Sequence, residues 1–309
     1  MAEERIDAAT GTGFVGHEWD GIEELDTPMP RWWLYILYAT IVFAFGYLIF
    51  YPGLPTAGGG TRGVLGWSSH GQLADELRAD QMRKGPVLAA IARTPVEKLA
   101  ASPQLLRAAE EGGRAAFKVN CVQCHGAGAA GAKGYPNLND DDWLWGGDPA
   151  TLLQTIMHGI RQPGDEATRA SQMPAFGRDG ILTEKQIEDL VSHVRFVSHQ
   201  EPMTAGAARG RALFAANCAV CHGDAAKGSR QVGAPNLTDR IWLYGGDRTS
   251  LVQTISNARY GIMPAWTGRL DPVTIKMLAA YVHSLGGGEA APSAAPQAPA
   301  PQAANVPPK

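Results

Sequence analysis

The sequence is poor in cysteine, nearly balanced in charge, and free of charged residues along one stretch. Its 309 residues include only four cysteines, and its formal net charge is −3. A chain so close to neutrality is not a strongly basic nucleic-acid binder, so no nucleic-acid partner is expected. The chain also lacks a pairing of carboxylates, or of a nucleophile with a base, that would indicate acid–base or covalent catalysis.

All four cysteines lie in two short motifs of the same form. Residues 121–125 read CVQCH and residues 218–222 read CAVCH, and C-x-x-C-H is the attachment pattern of c-type haem. Each cysteine sulfur forms a thioether bond with a haem vinyl group, and the histidine reaches the iron. The sequence therefore predicts two covalently bound haem c groups. The attachment residues are Cys121, Cys124, Cys218 and Cys221, and the iron ligands are His125 and His222.

Zinc binding, disulfide formation and thiol redox chemistry are alternatives for the same cysteines. Zinc ribbons usually separate their cysteine pairs by about 15–20 residues, whereas Cys121 and Cys218 are 97 positions apart. A thioredoxin-like pair is expected near a βαβ pattern, which this chain lacks. Zinc would also not require a histidine at the same place in both motifs.

Residues 32–51 contain no charged side chain and are apolar on every face. Twenty helical residues span about 30 Å, the thickness of the hydrocarbon core of a bilayer. Trp32, Trp33 and Tyr51 lie at the two ends, as aromatic residues at membrane interfaces do, and Arg31 is placed to extend towards the headgroups. The stretch predicts one transmembrane helix. The mostly polar residues before it disfavour a cleaved signal peptide.

The charges flanking this helix do not decide its orientation, since Arg31 and Arg62 lie on opposite sides of it. Covalent haem c attachment takes place on the periplasmic side of a bacterial inner membrane. We therefore expect a single-pass protein of that membrane, with residues 1–31 cytoplasmic and the haem domains periplasmic.

The two motifs belong to an internal duplication. Matching segments precede and follow each motif, and their offset drifts along the chain, which indicates loop insertions between two copies of one domain. The matches are GRAAF at 113–117 with GRALF at 210–214, PNL at 136–138 with 235–237, WLWGGD at 143–148 with WLYGGD at 242–247, and MPAF at 173–176 with MPAW at 263–266.

This duplication predicts a mainly α fold, with one transmembrane helix followed by two tandem all-α domains. Capping patterns place the final helix of each copy after Thr183 and after Asp271. The predicted division is an N-terminal segment 1–31, the transmembrane helix 32–51, a linker with helices 52–107, a first domain 108–200, a second domain 204–286, and a disordered Ala/Pro-rich tail 287–309.

Met173 and Met263 occupy matching loop positions in the two copies. They are the candidates for the second axial ligand of each iron, since a thioether ligand favours ferrous haem and raises the reduction potential. Packing roles are the alternative for both methionines. His158 is the rival ligand, although it has no counterpart in the second copy.

Four further repeated residues are candidates to surround the haems. Trp143 and Trp242 are placed either to wall the haem crevices and donate an indole N–H, or to pack as ordinary core residues. The carbonyls of Pro136 and Pro235 are candidates to accept the second ring N–H of each histidine, which would fix its tautomer.

These motifs resemble a known family. The two C-x-x-C-H…PNL…MPA segments are similar to tandem class I cytochrome c domains. Residues 16–25 and 27–33 resemble the membrane-entry segment of the dihaem subunit III of cbb3-type cytochrome c oxidases. The similarity covers residues 13–285.

The resemblance implies an electron-transfer subunit of a terminal oxidase. Such a subunit accepts electrons from a donor cytochrome c and passes them towards a catalytic haem b/copper subunit, beside a monohaem c subunit. It implies the axial pairs His125 with Met173 and His222 with Met263, and no oxidase activity in this chain alone. A dihaem carrier of another respiratory complex and a dihaem peroxidase or dehydrogenase remain alternatives.

Overall fold

The computed structural model describes residues 5–290, and the chain divides into two compact units between Arg83 and Lys84. The N-terminal unit begins with two antiparallel strands, β1 (Phe14–Trp19) and β2 (Ile22–Leu25). Asp20 and Gly21 join them with φ angles of 49° and 82°. Positive φ at both central residues is typical of the type I′ turn that matches strand twist.

Helix α1 (Arg31–Phe50) begins and ends within one residue of the predicted membrane span. Among residues 5–290 it is the one helix long and apolar enough to cross a membrane, and none of its side chains is buried in the protein. Because no side chain of this apolar helix is buried by the described residues, a bilayer is the environment that suits it. Strands β3 (Pro55–Thr56) and β4 (Gly59–Gly60) follow as a second hairpin.

The C-terminal unit is helical, which confirms the predicted fold class. The end of helix α2 (Ser69–Arg93) belongs to this unit, and a 3₁₀ helix (Val96–Ala101) follows. The remaining helices are α3 (Pro103–Asn120), α4 (Val122–His125), α5 (Pro149–His158), α6 (Glu184–Val197), α7 (Ala205–Asn217), α8 (Ala219–His222), α9 (Arg248–Asn257) and α10 (Pro272–His283).

The predicted helix starts are confirmed by their caps. Thr183 and Gln186 form a reciprocal capping box at the start of α6. The Asp271 carboxylate accepts from the amides of Val273 and Thr274 at the start of α10. These side chains satisfy amide groups that the first turn of a helix leaves without partners.

The final helices of the two copies are exchanged between two hydrophobic cores. Helix α10, from the second copy, packs on α3 and α5 of the first copy. Helix α6, from the first copy, packs on α7 and α9 of the second copy. Segments 108–200 and 204–286 therefore each hold the helices of one copy, although residue 108 falls inside α3, and neither segment completes a core by itself.

The tail prediction is wrong at its beginning. The Gly287 carbonyl accepts a hydrogen bond from the Trp143 indole at 2.6 Å, and the Glu289 amide donates to the Gly147 carbonyl at 3.1 Å. Glu289 also forms an ion pair with Arg230. These contacts tie residues 287–289 to the rest of the unit, and residues 291–309 lie outside the described residues.

Glycine permits both exchanged helix crossings. A Cβ on Gly113 of α3 would overlap the Met277 carbonyl of α10, and a Cβ on Gly210 of α7 would overlap the Asp189 carbonyl of α6. Both glycines are buried, so the backbones approach more closely than any side chain would allow. Arg209 adds a two-point ion pair to Asp189, at 2.8 and 2.6 Å, across the second crossing.

We predict that Gly113→Ala destabilises the protein by about 1–3 kcal/mol, since α10 must move away from α3. Gly85→Ala is the matched control, because Gly85 lies in α2 with open space around its Cβ position. The control is expected to be neutral or stabilising, as alanine is the better helix former. Thermal unfolding of the haem-loaded protein measures both effects, and equal stability of the two variants would contradict the close crossing.

Candidate haem sites

Each C-x-x-C-H motif forms a single helical turn at the end of a longer helix. In the first copy the Cys121 amide donates to the Phe117 carbonyl at 2.8 Å, and the His125 amide donates to the Cys121 carbonyl at 2.9 Å. The second copy repeats these bonds at 2.8 and 2.9 Å. Both cysteines and the histidine of a motif are therefore held by one continuous stretch of backbone.

The predicted contacts of the histidines with the proline carbonyls are present. His125 Nδ1 lies 3.1 Å from the Pro136 oxygen, and His222 Nδ1 lies 3.0 Å from the Pro235 oxygen. A carbonyl only accepts, so Nδ1 carries the proton and Nε2 keeps its lone pair for a metal. Burial also lowers the pKa of both histidines, which favours the neutral imidazole that iron binds.

Two glycines that the sequence reasoning missed make these contacts geometrically possible. The Gly131 amide donates to the His125 carbonyl at 2.8 Å, and Gly228 does the same for His222. Both have positive φ, and a Cβ on Gly131 would lie 2.7 Å from the Asn137 amide nitrogen. The sequence could have revealed these glycines, because in both copies a glycine stands six residues after the histidine of the motif.

The two methionines lie in the cores opposite to those implied by the family resemblance. Met263, from the second copy, packs with the first core, to which Cys121 also belongs. Met173, from the first copy, packs with the second core, to which Cys218 belongs. Each methionine therefore shares a core with the attachment turn of the other copy, whereas the resemblance implies pairs within one copy. The physical reason is the exchange of the chain that follows α5 and α9.

Backbone hydrogen bonds hold each methionine loop against the other copy. The amide of Met263 donates to the Ile160 carbonyl, and the amide of Ile160 donates to the Met263 carbonyl, both at 3.0 Å. The Trp266 amide donates to the Ile156 carbonyl at the end of α5 at 3.1 Å. In the other core, the Phe176 amide donates to the Ile255 carbonyl at the end of α9, also at 3.1 Å.

The two tryptophans predicted beside the haems differ in their hydrogen bonding. Trp143 packs with the first core and donates its indole N–H to the Gly287 carbonyl. Trp242 packs with the second core, and its buried indole nitrogen has no partner among residues 5–290. A buried donor without an acceptor costs about 1–3 kcal/mol, so Trp242 suits a site where a bound group supplies the acceptor.

The alternatives for the cysteines and for the axial ligand have less support. Across residues 5–290 no three His, Cys, Asp or Glu side chains gather as a metal site, and all four cysteines are free thiols. His158, the rival ligand, has its Nδ1 3.0 Å from an Asp165 oxygen, a contact that leaves its Nε2 as free as those of His125 and His222. What counts against His158 is that it has no counterpart in the second copy. The residues fit haem c instead, because each motif provides two thiols and an imidazole with an available Nε2, and a methionine thioether shares a core with the first cysteine of each motif.

Fold and sites together define a c-type cytochrome with two haem-attachment segments and an N-terminal apolar helix. Residues 108–194 and 205–282 match the family described as cytochrome C oxidase, cbb3-type, subunit III. Residues 11–58 match the N-terminal domain of cytochrome oxidase-cbb3, FixP. The chain belongs to the family of cbb3-type cytochrome c oxidase subunits FixP and CcoP, and it is a membrane cytochrome c subunit of such an oxidase.

Curated relatives are similar along nearly their whole length. The cbb3-type cytochrome c oxidase subunit FixP of Bradyrhizobium sp. (strain ORS 278) is 51% identical over 286 residues, covering 92% of this chain and 98% of the relative. Subunit CcoP of Cereibacter sphaeroides is 50% identical, covering 89% and 95%. Subunit CcoP of Azospirillum brasilense is 46% identical, covering 94% and 100%.

We predict that Gly131→Ala raises the reduction potential of the haem attached at Cys121 and Cys124. The added Cβ must displace the backbone around Pro136, and the hydrogen bond that increases the basicity of the His125 ligand is then lost. The measurement is a spectroelectrochemical titration.

Gly128→Ala is the matched control for Gly131→Ala. Gly128 lies in the same loop with a negative φ and open space around its Cβ position. The control is expected to keep the potential of the parent protein. An equal shift in both variants would show that the Gly131 backbone does not support the histidine.

Proposed function

We propose that this chain is the dihaem electron-transfer subunit of its oxidase. It carries electrons from a donor cytochrome c towards the catalytic haem b/copper subunit that reduces oxygen, beside a monohaem c subunit. The observation that carries the proposal is the repeated arrangement of a C-x-x-C-H turn, a histidine with its Nδ1 donating to a carbonyl, and a methionine in the same core.

The axial ligand pairs are His125 with Met263 and His222 with Met173. Each pair joins a histidine of one copy to a methionine of the other. Two cysteines per motif attach each haem covalently, which gives two haem c groups on the chain. When bound, the haems supply reversible one-electron chemistry. The residues of the chain anchor them, fix the histidine tautomer, and raise the potential through the thioether ligands.

Axial methionines on both irons favour a carrier over a catalyst. An enzyme such as a peroxidase or dehydrogenase needs an iron with an open or exchangeable position, whereas two axial protein ligands leave none. The chain therefore contributes no catalytic site of its own, and oxygen chemistry belongs to another subunit. Membership of the oxidase family favours this assembly over a carrier serving another respiratory complex.

The membrane arrangement follows from covalent haem attachment. Helix α1 crosses the bacterial inner membrane once, with residues 1–31 on the cytoplasmic side and the haem domains on the periplasmic side. The haems then face a donor cytochrome outside the cytoplasm. The apolar surface of α1 is available to lipid and to neighbouring membrane-spanning subunits.

The proposed role predicts the haem content of the native complex. Pyridine haemochrome spectra with haem-stained denaturing gels are expected to give two covalent haems on this chain, alongside haem b and oxygen consumption in the assembly. Two covalent haems in an assembly without haem b would instead support a carrier for another complex. Cys121→Ala together with Cys124→Ala is expected to leave one covalent haem.

The exchanged ligand pairs predict which methionine serves the one haem that remains in this double variant. Adding Met173→His should lower the potential of the haem at Cys218 and Cys221 by a sizeable part of the range of about 0.8 V that axial ligands span. Adding Met263→His should leave that potential unchanged. Redox titration of the two proteins distinguishes the pairings.

The mirror experiment removes the other haem through Cys218→Ala and Cys221→Ala. There, Met263→His is expected to lower the potential, and Met173→His becomes the matched control. If each methionine affected only the haem of its own copy, the exchanged pairs would be rejected while the electron-transfer role would stand.

A further inference from the structure

Arg161 lies where the chain leaves the first core. It follows α5 and Ile160, and the chain beyond it continues towards Met173 in the second core. Its backbone has a φ of 54°, a left-handed conformation that non-glycine residues adopt at a cost and retain where the surrounding structure requires it. The Arg161 amide donates to the Arg169 carbonyl at 2.8 Å.

The half-buried Arg161 side chain contacts both methionine loops. Its Nε donates to the Ser171 carbonyl at 3.1 Å, two residues before Met173. Its Nη1 donates to the Gly261 carbonyl at 3.2 Å, two residues before Met263. The guanidinium carbon also lies 5.6 Å from the centre of the Tyr260 ring, which belongs to the same loop as Met263. One rigid planar group thus joins two loops that serve different haems.

The neighbours of Arg161 strengthen this junction. Ile160 exchanges two backbone hydrogen bonds with Met263. The side-chain oxygen of Gln162 accepts from the Ala265 amide at 3.3 Å. Three consecutive residues of the first copy therefore hold the Met263 loop, while Arg161 also reaches the Met173 loop.

Two other arginines in this region keep their contacts within one copy. Arg169 donates to the Thr155 hydroxyl and, at 3.2 Å, to the Gln154 side chain. Arg259 donates to the Ser250 carbonyl at 2.8 Å and to the Thr254 hydroxyl at 2.6 Å. Each also lies against an aromatic ring, Trp145 for Arg169 and Tyr244 for Arg259. These arginines have the same charge as Arg161 and similar surroundings, but the side-chain contacts given for each are with residues of its own copy.

Resting on the ligand pairs given under the proposed function, we propose that Arg161 is a positioning residue that holds the axial methionines of both haems at once. Hydrogen bonds from a charged guanidinium to two carbonyls are stronger than bonds between neutral groups. They fix both loops relative to one rigid fork, so loosening this one residue weakens methionine ligation at two irons.

The test compares Arg161→Gln with Arg169→Gln in the full-length protein in its native complex. Both changes remove one positive charge from the same region, but only the first removes the link between the loops. The readouts are the far-red absorption band of methionine-ligated ferric haem and the displacement of methionine by added imidazole, each resolved for both haem c groups. Neither readout depends on oxidase activity.

Arg161→Gln is expected to weaken the far-red band and to increase the apparent imidazole affinity of both haems at least tenfold. Arg169→Gln is expected to stay within about twofold of the parent protein. Arg161→Lys keeps the charge but lacks the planar fork, so it should still show increased imidazole affinity. If Arg161→Gln does not accumulate, the imidazole affinity of Arg161→Lys is measured in its place.

Parent-like imidazole affinity in Arg161→Gln would overturn the assignment of Arg161 while leaving the ligand pairs intact. The assignment of Arg161 would also be overturned if the imidazole affinity changed at only one haem, or if it changed equally in Arg169→Gln. A parent protein with two covalent haems but no far-red band would reject methionine ligation itself, and with it the role of Arg161.

Discussion

The exchange of the segments after α5 and α9 is the constraint on which the other features of the C-terminal unit depend. Each core takes its haem-attachment turn from one copy, and its final helix and methionine from the other. In this arrangement α3 and α6 of the first copy are covered by α10 and α7 of the second, and each core contains the methionine of the copy that does not supply its attachment turn. The first core joins α3 to α10, which lie far apart in sequence, so most of the unit must be in place before that core closes. The second core is formed by the consecutive helices α6 to α9, between the two parts of the first. The two cores therefore interlock in one structure.

Within that structure the chemistry of each site is set mainly by backbone atoms. The proline carbonyls direct the histidine tautomers, and the glycines at 131 and 228 allow those carbonyls to approach. Main-chain bonds to the ends of α5 and α9 hold the methionine loops. A carbonyl cannot be changed by substitution and does not titrate near neutral pH. Such ligand supports keep their orientation through changes of redox state or pH that would disturb a carboxylate.

Local patterns in the sequence predicted local structure well. The apolar stretch ended within one residue of α1, and the caps at Thr183 and Asp271 began the expected helices. The hairpin of β1 and β2 was missed, although Asp20-Gly21 is a strong turn signal. The exchange could not be predicted, because α6 and α10 come from matching segments and either could cover α3 or α7 by hydrophobic pattern alone. The chain leaves the first core at Ile160 and Arg161, and no sequence motif marks the left-handed backbone of Arg161.

The duplicated sequence nevertheless produces two unequal sites. Met263 has both of its backbone hydrogen-bonding groups paired with Ile160, whereas across residues 5–290 the backbone of Met173 has no such bond. The Trp143 indole donates to Gly287, a residue beyond the final helix, whereas no acceptor for the buried Trp242 indole lies in the part of the chain that the structure describes. Haem c groups held by the same kinds of ligand in these two surroundings would differ in potential, since hydrogen bonding and burial tune the iron along with ligand identity. That difference would come from Ile160 and Gly287, which lie outside the repeated motifs.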